Sequence, residues 1–217
     1  MNKILPLIAF IIICLADFSG IYFENQLVIY IAKPLLMISL FWYYTSKTTH
    51  INKWFVLGLF FSFLGDVFLL GKGELFFILG LASFLIAHLF YITMVVKLLV
   101  KTTFKEVVSV SIPYVLIFML LLNLLYEHLG GMKIPVIIYA SVISVLGTVS
   151  LLLFVQKKTD AYLLLVMGVF IFIVSDSVLA INMFYQKEAF FSLVIMLTYV
   201  LAQFLICSFV LKLKTEK

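Results

Sequence analysis

An all-α, polytopic membrane bundle of about eight helices is the fold class this sequence predicts, and three observations predict it. Hydrophobic residues make up 65% of the 217, charged residues only 12%, and the mean hydropathy is +1.27, a composition foreign to soluble domains. Apolar runs of about 18–22 residues recur between short polar breaks, the length that crosses roughly 30 Å of hydrocarbon. The 15 basic residues are all lysines and gather at the ends of those runs, as membrane topology requires. A single integral-membrane domain over residues 1–217 is expected, because the loops leave no room for another.

The spans follow in order as Ile4–Tyr22, Leu27–Thr45, Lys53–Leu70, Leu75–Val96, Val107–Leu125, Pro135–Val155, Ala161–Phe184 and Phe190–Leu211. The first lacks a small-x-small cleavage site and is broken by Asp17, so it reads as a retained helix rather than a signal peptide. In the second, Lys33 precedes Pro34, which predicts an irregular entrance to that helix. Gly71-Lys72-Gly73-Glu74 reads as a tight turn, and Gly130-Gly131 before Pro135 as a helix stop and restart. Short connections predict that consecutive helices are antiparallel neighbours. With the N-terminus in the cytoplasm, eleven lysines, including Lys3, Lys214 and Lys217, fall inside and only Lys72, Lys133 and Lys187 fall outside. Both termini are therefore expected to be cytoplasmic, in a bacterial cytoplasmic membrane. The two cysteines, Cys14 and Cys207, lie inside spans without CxxC spacing and read as small apolar fillers.

Two short stretches depart from this apolar pattern. Gly65-Asp66-Val67 in the third span and Ser175-Asp176-Ser177 in the seventh each put a carboxylate after a small residue, deep in an apolar run. Ionisable groups at membrane depth cost several kcal/mol or more and mark functional sites by default. Asp17, Asp66 and Asp176 lie 13–15 residues along helices that start inside, roughly 20 Å up at 1.5 Å per residue. Lys33 and His88 fall in the same band, so one polar cavity is expected to hold Asp66 and Asp176 together. Asp17, nearer a helix end, is expected to reach the interface. The two Asp segments sit four helices apart and point the same way. Ala87-His88-Leu89 has a loose counterpart in Ala202-Gln203-Phe204, a pattern that a parallel four-plus-four duplication would explain.

Paired buried carboxyls suit acid–base chemistry: burial disfavours the charged form, so one can carry a proton while its partner stays ionised and handles water. The plainer alternative is a pair of structural carboxyls bonded to hydroxyls across helices. Lys33 reads either as a residue snorkelling to the interface or as a counter-ion for a carboxylate or a ligand phosphate. His88 is a candidate partner for Asp66. Tyr199 and Gln203, at i and i+4 on the eighth helix, Tyr139, Ser175 and Asn182 complete the candidate binding residues. With no arginine, any phosphate must be held by lysine, amides, hydroxyls or backbone. No HExxH, GxSxG, Walker-type loop or CxxC occurs, so the common motif-defined hydrolases, kinases and metalloproteases gain no support. Nucleic acid is excluded as a partner, since the net charge of +5 is spent at helix ends.

Taken together, Lys33-Pro34-Leu35, Phe61 to Val67, Ala87 to Tyr91, Phe172 to Ala180 and Thr198 to Gln203 make the chain resemble the YhhN-like family of membrane lysoplasmalogenases over nearly its whole length. It departs in having Val200 where a second tyrosine often follows Tyr199, and no arginine after the seventh helix. The resemblance implies hydrolysis of the vinyl-ether bond of lysoplasmalogens to a fatty aldehyde and a glycerophospho-ethanolamine or -choline. It implies a lysophospholipid substrate in contact with membrane lipid, Asp66 and Asp176 as the catalytic carboxyls, and neither cofactor nor metal. The rival class is a small proton-coupled transporter or lipid-binding bundle built on the same Asp and Lys residues.

Overall fold

The computed structural model describes residues 4–213; Lys3, Lys214 and Lys217, used above for orientation, lie outside them. Eight α-helices follow one another: α1 (Leu5–Tyr22), α2 (Gln26–Lys47), α3 (Lys53–Phe68), α4 (Glu74–Val96), α5 (Phe104–Leu125), α6 (Lys133–Lys157), α7 (Asp160–Phe184) and α8 (Ala189–Lys212). Every end lies within three residues of the sequence expectation. The punctuation is local. Asn25 caps α2, Asn52 caps α3 by accepting from the N–H groups of Trp54 and Phe55, and Thr103 with Glu106 forms a capping box on α5. Gly73, at φ +100°, turns the chain into α4 in a conformation other residues adopt only under strain.

Seven of the helices are long and apolar enough to cross a membrane, and the protein is an integral membrane protein. The exception, α3, has 16 residues and rises about 24 Å. Its end tightens where the Leu70 N–H reaches the Val67 carbonyl. Polarity is arranged inside out. Ile8, Ile12, Leu15, Phe60, Leu116 and Leu120 face outward, while Asp17, Ser62, Asp66, His88, Ser175 and Gln203 are buried in the bundle. Lipid removes any cost of exposing apolar side chains, so close packing and interhelical hydrogen bonds hold such a bundle.

Two expectations are corrected. α2 runs unbroken through Pro34; a membrane helix tolerates the missing N–H because neighbouring helices support it, so Lys33 is helical. And α4 packs against α6 rather than against its chain neighbour α5. The connection from Lys97 to Thr103 is long enough to step aside, and it is tied to α6 by the Val100 N–H donating to Gln156 Oε1 at 3.2 Å. The other consecutive pairs do pack as neighbours, α1 with α2 and α3 with α4 as α5 with α6 and α7 with α8. α5 is the outlier in burial: only Tyr114 and Leu125 on it are buried.

Candidate functional site

α3 and α8 meet through matching polar rungs. On α3, Ser62 and Asp66 are four residues apart; on α8, Tyr199 and Gln203 are also four apart, so each pair lines one face. Tyr199 Oη donates to Asp66 Oδ2 at 2.8 Å, and Gln203 Nε2 donates to Ser62 Oγ at 2.9 Å. From α4, Tyr91 Oη donates to Gln203 Oε1 at 2.8 Å. Asp66 is 2% exposed, and Ser62, Tyr91 and Gln203 are fully buried. Gly65 lets α4 come this close: a Cβ there would stand 2.5 Å from the Phe84 ring.

The second carboxyl is held differently. Tyr139 of α6 donates to Asp176 Oδ2 at 2.6 Å, which leaves the other carboxyl oxygen free to carry a proton. Asp176 keeps part of its surface accessible, because it and Tyr139 line a cavity of about 50 Å³ among α4, α5, α6 and α7. The remaining wall is apolar, with Phe77, Ile117, Leu121, Ile143 and Phe184 among its residues. Ser144 and Ser177 also line it, but each hydroxyl bonds back to its own helix, to the Ala140 and Ile173 carbonyls at 2.7 Å. The carboxyl–phenol pair is thus the polar feature left facing the space.

The two aspartates do not line this cavity together. Asp66 is absent from its wall, and its phenol partner comes from α8 where that of Asp176 comes from α6. Aromatic rings connect the two regions instead. Phe84 and Phe172 meet the Tyr199 ring edge-on at 5.8 and 5.5 Å; Phe172 in turn meets His88 at 4.7 Å, and His88 meets Tyr139 at 5.4 Å. The sequence predicts a common depth for the two, and depth carries no information on azimuth around the bundle.

The other candidates divide. Tyr139, Tyr199 and Gln203 hold the two carboxyl regions as described. His88 does not bond Asp66: it is fully buried with both ring nitrogens unpartnered among the described residues, wedged between Tyr139 and Phe172. Asp17 does not reach the interface; it is fully buried, with neither carboxyl oxygen hydrogen-bonded among the described residues. Lys33 is half-buried. Ser175 faces α8, its hydroxyl donating to the Ile195 carbonyl at 2.9 Å, and Asn182 accepts from the Glu188 N–H at 3.0 Å, closing the turn into α8. Both fasten helices rather than line the cavity. Phe172, the ring between Tyr199 and His88, escaped sequence reasoning, since one more phenylalanine in an apolar run carries no signal. Ser62 could have been found: its spacing from Asp66 repeats that of Tyr199 and Gln203.

No curated protein and no solved structure matches the chain. The profile of the YhhN family matches residues 28–210, from early α2 through almost all of α8, and the chain belongs to the YhhN family.

Proposed function

We propose that the protein is an ether-lipid hydrolase of the lysoplasmalogenase type, with Asp176 as its general acid. The observation that carries this reading is a carboxyl bonded to a tyrosine on the wall of an otherwise apolar cavity inside a membrane bundle. A vinyl ether needs an acid at its β-carbon, a water molecule and an apolar space for one alkyl chain.

In the proposed reaction the Asp176 carboxyl gives its proton to the β-carbon, and the C=C electron pair forms the new C–H bond. The positive charge that develops on the ether carbon and oxygen faces the carboxylate just formed. Water adds to the cationic carbon, returning a proton to Asp176. The hemiacetal then collapses to a fatty aldehyde and a glycerol hydroxyl. The two-carboxylate analogy is with glycosidases, but here the second carboxyl stands apart. Asp66, bonded to Tyr199 of α8 and absent from the cavity wall, acts through the field and shape of the bundle rather than by touching substrate.

The test is aldehyde release from a vinyl-ether lysophospholipid by detergent-purified protein. Release that disappears in folded Asp176→Asn protein supports the reading. An active wild-type preparation whose Asp176→Asn variant turns over equally fast refutes the assigned acid. No release from any lysoplasmalogen headgroup refutes the hydrolase and favours a transport or lipid-binding role.

A further inference from the structure

The hydrolase reading leaves open how a lipid reaches Asp176, and the cavity's walls bear on this. Its lining comes from the first turns of α4 (Phe77, Leu81) and α6, and from the later halves of α5 (Ile117, Leu121) and α7. In an antiparallel bundle these are all the same end, opposite the side where α1 begins and α8 finishes. Asp176 lies 16 residues into α7, about 24 Å from its start, so the carboxyl faces the cavity from the far half of the membrane.

The thin wall is α5. It leans on α6 and touches α7 only sparsely, and apart from Tyr114 and Leu125 its side chains are not buried. Pro113 lies inside it, one turn before the lining residue Ile117. Proline removes a backbone N–H, so α5 is one backbone hydrogen bond short beside the cavity as well as the least buried of its walls. A cavity of about 50 Å³ offers only a few water-sized positions at ~10–15 Å³ each. It has room for the reacting ether carbons and a water molecule, and not for an alkyl chain of ordinary length. The rest of the chain has to run out of the bundle into lipid.

Resting on the hydrolase reading, we propose that a single-chain lipid enters beside α5, the least buried wall of the cavity, from the leaflet on the side away from the termini. Its ether end sits against Asp176 and Tyr139 while its tail threads past Ile117 and Leu121 into the bilayer. With the lysine bias as read from the sequence, that leaflet is the outer one.

The experiment uses a ligand that ether chemistry cannot cleave, an ester-linked lysophosphatidylcholine brominated on its chain. Trp42 and Trp54 are replaced by Phe in the full-length protein, and a reporter tryptophan is placed by Phe118→Trp, on the cavity wall, or by Leu120→Trp, which is 71% exposed on the outer face of α5. Expected is saturable quenching at position 118 and only non-saturating, concentration-proportional quenching at position 120. Adding Ala180→Phe, which fills the lining, should raise the half-saturating concentration at position 118 about tenfold or more. In vesicles of uniform protein orientation, lipid added on the side away from the termini should saturate the site at once, and lipid added on the other side only after crossing the bilayer. Identical non-saturating quenching at both positions, or prompt saturation from the side of the termini, overturns the proposal. Saturable quenching at position 118 without aldehyde release from lysoplasmalogen leaves the chain slot standing and removes the hydrolase. Aldehyde release without saturable quenching does the reverse.

Discussion

Asp66 and Asp176 occupy corresponding helices, the third of the first four and the third of the last four, and each accepts one tyrosine hydroxyl. There the likeness ends. Around Asp66 the polar groups pair across three helices, Tyr199 with Asp66 and, one turn away, Tyr91 with Gln203 and Gln203 with Ser62, with almost no accessible surface. Around Asp176 the nearby serines turn away and the carboxyl looks into an apolar space. Polar groups paired away from any accessible space fix a structure. A carboxyl with one partner and an open side is available for chemistry. The residue preceding each aspartate follows the same division: Gly65 admits the Phe84 ring of α4, whereas Ser175 spends its hydroxyl on an α8 carbonyl.

The sharpest way to break the comparison is to remove each acid in turn. Asp176→Asn keeps size and most hydrogen bonding while removing the transferable proton. Its turnover of a vinyl-ether lysolipid should fall about 10²–10⁴-fold, the scale of a lost positioned acid, with little change in melting temperature. Asp66→Asn should do the opposite, unfolding at lower temperature and losing only about tenfold in turnover, the part due to a remote field. Equal kinetic losses at folded Asp66→Asn and Asp176→Asn would restore a shared two-carboxylate site.

Exchanging the preceding residues gives a smaller effect on stability. Gly65→Ser drives a Cβ into the Phe84 ring and should cost about 1–3 kcal/mol, as overpacking does. Ser175→Gly loses one interhelical hydrogen bond and should cost about 1 kcal/mol. Thermal unfolding in detergent ranks the two, and the reverse order would mean that α3 and α4 are not as closely packed as Gly65 implies. Tyr199→Phe removes the hydroxyl from Asp66 but keeps the ring between Phe84 and Phe172. A loss of about 0.5–2 kcal/mol is expected, and turnover should hold, whereas Tyr139→Phe should slow turnover more than it lowers stability. Smallest of all, Asn182→Ala should shift stability by about 0.5–1 kcal/mol and leave turnover alone, because it only closes the turn to Glu188.

The helices were legible because length and apolarity are written locally; the caps Asn25, Asn52 and the Thr103–Glu106 box went unread, and α5 accordingly begins at Phe104, three residues before the expected Val107. Pro34 misled because its local preference is weaker than the packing of α2. The step of α4 past α5 onto α6 could not be read, since a connection from Lys97 to Thr103 permits either neighbour. At the site, residue types and the shared face of Tyr199 and Gln203 were readable; their pairing with Asp66 and Ser62 was not, since His88 was the expected partner of Asp66. Which helix faces which was not, and so one expected cavity became two regions. His88 shows the same limit: its burial was foreseeable, its wedging between Tyr139 and Phe172 was not.

The bond from Tyr199 to Asp66 joins residues 133 positions apart, which has a consequence for biogenesis. Helices enter the membrane in order of synthesis, so Asp66 is in lipid long before α8 has been made. Until then its carboxyl has no phenol to accept from, and Ser62 waits likewise for Gln203. The half-made protein therefore carries a costly group unmet, and the last helix is the one that completes the first half. Chains shortened before Tyr199 should be cleared from the membrane soon after synthesis, whereas full-length chains persist.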